Sequence, residues 1–228
     1  MTLSISMTRR QALMGWVFFG ISMLVLPNFL AIGNSLLASP LSATEVNLLY
    51  FCINFLGAVL IFGEFLWKSL KKAIRTPQRC LLVAAIGYGL YRLAGLLLAF
   101  VIVYIRPDFA NVNDGTIAQL AGEHYPLMVI ATVLLVPIYE ELFYRGLFFQ
   151  GLHTKSRVLA YGVSVVVFSF IHVMGYIGMY DPVILLLCFA QYLPAGAALA
   201  WAYEKSDTIV TPILMHIVIN SIGFLFMR

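Results

Sequence analysis

The chain has 228 residues, of which 62% are hydrophobic and 11% charged, with a formal net charge of +4 and a mean hydropathy of +0.95. An ordinary soluble domain carries about twice that share of charge, so a soluble globular enzyme and a disordered chain are both excluded. A positive net charge raises nucleic acid as a partner, but the basic residues sort by loop and form no stripe interleaved with aromatics, so none is expected.

Apolar stretches long enough to cross a hydrocarbon core of roughly 30 Å lie at 12–36, 46–66, 80–104, 126–150, 158–178, 182–202 and 209–227. The expected fold is all-α: a polytopic transmembrane bundle of about seven helices forming one integral-membrane domain over 1–228. Residues 11–44 carry no charge, so the first segment is either one long tilted helix or a span followed by an interfacial piece broken near Pro27-Asn28. Six and eight helices are the alternatives. The small-residue text at 35–43 resembles a cleavage site, but the apolar region before it is far longer than the roughly 7–15 residues of a signal peptide. The first helix is therefore expected to stay. Cys52, Cys80 and Cys188 have no paired or zinc-type spacing and read as small core residues.

Arg9 and Arg10 precede the first span, Lys68, Lys71, Lys72, Arg75 and Arg79 follow the second, Lys155 and Arg157 follow the fourth, and Lys205 follows the sixth. The opposite face holds only Arg106 and the terminal Arg228. The positive-inside rule then places the N-terminus in the cytosol, and the basic 68–79 loop near anionic headgroups. The longest polar stretch, 106–125, falls outside as a loop.

Six polar residues interrupt the late spans: Glu140, Glu141 and Arg145 in the fourth, His172 in the fifth, His216 and Asn220 in the seventh. Ionisable groups at membrane depth are costly, and their presence points to function. Glu141 and Arg145 stand four apart and can pair on one helix face. Glu140 sits about 100° round the helix and is left free as a general base, unless a partner such as Arg92 reaches it. The bland reading of this motif is an interhelical salt bridge, which needs one carboxylate and not two. His172 shares a face with Phe168, and by itself reads as an interhelical hydrogen-bonder. His216 and Asn220 also share a face, a pairing that suits metal coordination or donation to an oxyanion. At about 1.5 Å per residue, Glu140, His172 and His216 lie about 18, 21 and 11 Å from one membrane face, so tilted helices bring all three to one layer.

Glu-Glu-x-x-x-Arg at 140–145, Phe-x-x-x-His at 168–172 and His-x-x-x-Asn at 216–220, in this order on late membrane helices, resemble the CPBP group: the CAAX prenyl proteases and bacteriocin-processing enzymes, also called the Abi family. The resemblance covers about 126–226 and includes the turn Tyr203-Glu204-Lys205. It implies an intramembrane endopeptidase acting on a peptide or membrane-protein substrate in the lipid bilayer. Carried over residue by residue, Glu140 with His172 would activate water, His216 with Asn220 would hold the oxyanion, and Glu141 with Arg145 would hold the geometry. A cofactor is left open: two histidines and a carboxylate are a plausible zinc set, yet there is no His-Glu-x-x-His, and the His–Asn pair favours metal-free glutamate chemistry.

Two rival readings are a non-proteolytic scaffold or immunity protein of the same fold, and a proton-coupled transporter. A transporter would show repeated halves with matching broken helices, and none is evident. The short chain fits a bacterial inner membrane better than an endoplasmic reticulum.

Overall fold

The computed structural model describes residues 3–226, and all of its regular secondary structure is helical. Arg228 lies outside the described residues, as does Met227 at the end of the last expected span. Eight helices follow one another: α1 Arg9–Ser35, α2 Ala43–Arg75, α3 Pro77–Ile105, α4 Val112–Glu123, α5 Tyr125–His153, α6 Arg157–Met174, α7 Pro182–Ser206 and α8 Val210–Phe226. Six of these are long and apolar enough to cross a membrane, and the 17-residue α8 is a shorter apolar helix beside them. The chain is an integral membrane protein with a polytopic helical bundle of about seven spans.

Local chemistry sets the helix ends. Thr8 and Gln11 form a capping box at the start of α1, and Ser42 and Glu45 form another at the start of α2; each satisfies two otherwise unpaired N–H groups. Lys72 and Arg75 occupy the last turn of α2, where cations meet the negative end of the helix dipole. Pro77 and Pro182 open α3 and α7 from first-turn positions that need no N–H donor.

The uncharged first segment is one helix, not a span plus a separate piece. It stays continuous past Pro27 because the turn before it, Ile21–Val25, widens to i→i+5 hydrogen bonding, with the Leu26 N–H donating to the Ile21 carbonyl. The same device recurs in α5, where Ala131–Leu135 widens just ahead of Pro137. The 106–125 stretch is not a loop throughout, because Asn111 caps the 12-residue helix α4 through the N–H groups of Asn113 and Asp114. The Thr44 hydroxyl donates to the Leu120 carbonyl and ties α4 to the start of α2.

α5 is the centre of the bundle: 61% of its most apolar window is buried, against 11% for α1 and α3. Those two helices turn Leu24, Phe29, Leu97, Phe100 and other apolar side chains outward, a belt that lipid covers. α1 and α2 interlock through the Phe62 ring over Gly15 and the Phe18 ring over Gly57, positions where any added Cβ would collide with the ring. The chain ahead of α1 crosses the basic end of the bundle. Ser4 N–H donates to Asp207, while the Ile5 carbonyl and Met7 N–H both bond to the Gln150 carboxamide.

Candidate active site

A cavity of about 860 Å³ opens between all eight helices and is lined by Glu140, His172, His216 and Asn220, among others. Glu141 and Arg145 lie behind its wall, both fully buried. All six residues singled out in the sequence therefore gather around one space.

The order behind the wall comes from α5. After Glu141 the helix widens again over Leu142–Phe149, a stretch buried along its whole length, and wide turns of this kind recur at functional sites. Arg145 donates from Nη1 to Glu141 Oε1 at 2.8 Å and from Nη2 to the Gly196 carbonyl of α7 at 2.9 Å, with its guanidinium 4.6 Å from the centre of the Phe168 ring. Gly196 permits this approach: a Cβ there would press on Phe168 and on Val165 of α6 at 3.2 Å. The expected Glu141–Arg145 ion pair is present.

Glu141 Oε1 accepts a second hydrogen bond, from His216 Nδ1 at 2.8 Å. A carboxylate is acceptor-only, so Nδ1 carries the proton and Nε2 is turned to the cavity. There Nε2 stands 3.9 Å from Glu140 Oε2. That is too long for a hydrogen bond, and Oε2 of Glu140 has no protein partner among the described residues. Among the described residues Arg92 forms no ion pair with Glu140, whose contact at ion-pair range is the His216 ring.

His172 and Asn220 occupy other parts of the wall. His172 Nδ1 bonds to the Phe168 carbonyl at 2.7 Å, which fixes that nitrogen as the donor, and its ring stacks on Tyr192 at 4.0 Å. Tyr192 in turn donates to Asp114 at 2.9 Å and accepts from Asn113 at 3.0 Å, so α4 braces the histidine through one phenol. Asn220 donates from Nδ2 to the Thr132 carbonyl at 2.8 Å, in the widened turn of α5, leaving one N–H and the carboxamide oxygen for the cavity. His172 lies beyond ion-pair distance of Glu140, whereas His216 lies within it, so the side chain presented to Glu140 is the one on α8. Sequence spacing could not show this, since both histidines sit on other helices. Tyr192 and Asp114 carried no signal at all: each is one polar residue in an unremarkable local pattern.

At the basic end a third buried carboxylate, Glu204, accepts from Arg157 at 2.6 and 2.7 Å, from His153 at 3.0 Å and from Tyr161 at 3.0 Å. This network joins α5, α6 and α7 and accounts for the Tyr203-Glu204-Lys205 turn as a brace. Tyr203 adds a bond from Gln150 at 2.7 Å.

Fold and site together define an integral-membrane helical protein with an acid–imidazole cluster walled inside its bundle. Residues 122–222 match the family "Type II CAAX prenyl endopeptidase Rce1-like", a match that supports the resemblance of the three motifs to the CPBP family. The chain is also 26% identical over 183 residues to the "Putative membrane peptidase YdiL" of Bacillus subtilis (strain 168), covering 76% of this chain and 69% of that protein. No solved structure matches it.

Proposed function

We propose that this protein is an intramembrane endopeptidase in which Glu140 activates water against a peptide bond. The observation that carries the reading is the division of labour between adjacent carboxylates. Glu141 accepts from Arg145 and His216 through Oε1, while Glu140 takes no hydrogen bond from either, and its Oε2 lies on the cavity 3.9 Å from His216 Nε2 without a partner among the described residues. A water seated against both groups gives one proton to Glu140 as its oxygen attacks the carbonyl carbon. The resulting oxyanion is held by the spare N–H of Asn220, beside the His216 ring that Glu141 keeps in place. When the C–N bond breaks, Glu140 returns its proton to the leaving nitrogen, giving a carboxyl and an amine. His172 then shapes the wall from its seat on Tyr192, and its part in the water step runs through position and not through contact with Glu140.

A zinc centre fits these side chains less well. Zinc sites of the catalytic type use three protein ligands, and among the described residues no three His, Cys, Asp or Glu side chains gather as such a set. No step is therefore routed through a metal. We further assign the membrane orientation with the N-terminus and the basic end in the cytosol, on the segregation of Lys and Arg, and a bacterial inner membrane as its setting.

The test is cleavage of quenched fluorescent peptides by purified protein in proteoliposomes. Glu140→Gln should lower turnover by about 10²-fold or more with an unchanged melting temperature, and chelation should leave the wild-type rate intact. Near-normal cleavage by well-folded Glu140→Gln ends the assignment of the base. Chelator-sensitive activity restored by added zinc ends the metal-free scheme.

A further inference from the structure

The last turns of α2 carry two chemistries side by side. At about 100° per residue, Trp67, Leu70 and Ile74 fall on one face of the helix, and Lys68, Lys71, Lys72 and Arg75 fall on the adjoining one. The three apolar side chains are exposed, and an exposed tryptophan where an apolar span gives way to charge belongs at headgroup level. The four basic residues line a groove of about 510 Å³, whose remaining lining is Ser4, Ile5 and Ser6 of the chain ahead of α1. That segment is pinned: Ser4 N–H bonds to Asp207, and the Ile5 carbonyl and Met7 N–H bond to Gln150. The groove is thereby fixed to α5 and to the end of α7, and it shares no lining residue with the cavity that holds Glu140.

Two of the four cations are already neutralised. Lys68 pairs with Glu64 at 2.6 Å, and Lys72 pairs with Asp207 while donating to the Ser4 hydroxyl. Lys71 and Arg75 form no ion pair among the described residues. Lys71 stands 5.1 Å from the centre of the Trp67 ring, which attracts a cation but carries no net charge. No Asp or Glu lines the groove, so it keeps two uncompensated positive charges in a concave setting. Lysine and arginine there can give charge-assisted hydrogen bonds to phosphate oxygens. A soluble anion has no use for the apolar face beside them, whereas a phospholipid carries both an anionic head and acyl chains to cover it.

We propose that this groove binds the phosphate of an anionic phospholipid headgroup, with Lys71 and Arg75 as the charged donors and the acyl chains lying along Trp67, Leu70 and Ile74. The site stands whether or not the protein cuts peptides. A lipid held there joins α2 to the segment ahead of α1, and through Gln150 to α5. It therefore stabilises the folded bundle by mass action. General attraction of a basic membrane face to anionic lipid would not single out two residues, and the groove does.

The test uses the full chain, stripped of lipid in a neutral detergent and titrated with short-chain phosphatidylglycerol or with phosphatidylcholine of the same chain length, bound lipid being counted by native mass spectrometry. Wild type should bind the anionic lipid at least about tenfold more tightly, as charge-assisted hydrogen bonds predict. Lys71→Gln combined with Arg75→Gln should cut that preference to about twofold or less. Lys155→Gln combined with Lys205→Gln removes the same charge from the same end of the bundle but outside the groove, and should leave the preference in place. Equal losses in the two double variants reduce the effect to bulk attraction and overturn the site, as does equal binding of both lipids by wild type. Inorganic phosphate identifies the source of the anion. If at least about a tenfold excess over the lipid is needed to displace it, the lipid assignment stands; displacement by less makes the ligand a soluble phosphate and overturns that assignment. Lys71 and Arg75 are both exposed, and the comparison of two lipids on the wild-type chain needs no variant, so misfolding cannot obscure the result.

Discussion

Arg145→Ala should destabilise the protein far more than a typical substitution. The guanidinium is fully buried, donates to Glu141 and to the Gly196 carbonyl, and lies against Phe168. Its removal leaves the Glu141 carboxylate buried with only His216 as a partner and leaves a void between α5, α6 and α7. Breaking a buried pair by deleting one member costs about 3–5 kcal/mol. For a chain of this length each kcal/mol moves the melting temperature by roughly 2–4 °C, which sets an expected drop of about 6–20 °C in detergent. Arg145→Lys keeps the charge but cannot reach both Glu141 and Gly196 with a fork, so it should fall between. The assay is thermal unfolding followed by intrinsic fluorescence, extended to Glu141→Gln and to the double variant. Because the two residues share an ion pair, the double variant should lose less than the two single losses added together. Equal melting of Arg145→Ala and wild type, or strict additivity of the two variants, would refute the ion pair as a structural element.

The α1–α2 lock makes a second expectation. Gly57→Ala forces a methyl against the Phe18 ring and should cost about 1–3 kcal/mol by overpacking, and Phe18→Leu in the same chain should restore part of the lost melting temperature. Acid should loosen the basic end in a defined direction. Burial pushes the Asp207 carboxyl up, but Lys72 and the Ser4 backbone and hydroxyl outweigh it and hold the group below its ordinary value of 3.8. With the folded value below the unfolded one, its stabilisation is present above 3.8 and is lost as pH falls through the lower folded value. Asp207→Asn should therefore lower the melting temperature at neutral pH and show less further loss on acidification than wild type, as followed by unfolding at a series of pH values.

The spans were legible because hydropathy over about 20 residues is a property of the chain alone, and so was the Glu141–Arg145 pair, since four residues on one helix meet regardless of what surrounds them. What could not be read were contacts fixed by how helices dock. His216 Nδ1 on Glu141, His172 on Tyr192 and Asn220 on Thr132 each join residues separated by 20 to 88 positions. The capped helix α4 was hidden by its own composition: Asn, Asp and Gly near its start read as turn formers, although Asn111 uses that same chemistry as a helix cap. The widened turns before Pro27 and Pro137 were likewise invisible as such. Proline announces a disturbance of the helix, but neighbouring helices decide whether the answer is a break or an extra residue in the turn.

One oxygen, Oε1 of Glu141, receives both the guanidinium of Arg145 and the imidazole of His216. Folding and imidazole alignment thus hang on the same atom, and a lineage cannot discard one without endangering the other. A descendant that stopped cutting peptides and kept only a binding role would still be under pressure to retain Glu141, Arg145 and His216 for assembly in the membrane. Glu140 has no such insurance, because it takes no hydrogen bond from Arg145 or His216 among the described residues, and its Oε2 stands 3.9 Å from His216 Nε2. Among chains of this architecture, the residue whose loss is cheapest for the fold is the first carboxylate of the pair, and its replacement would be the earliest trace of an abandoned activity.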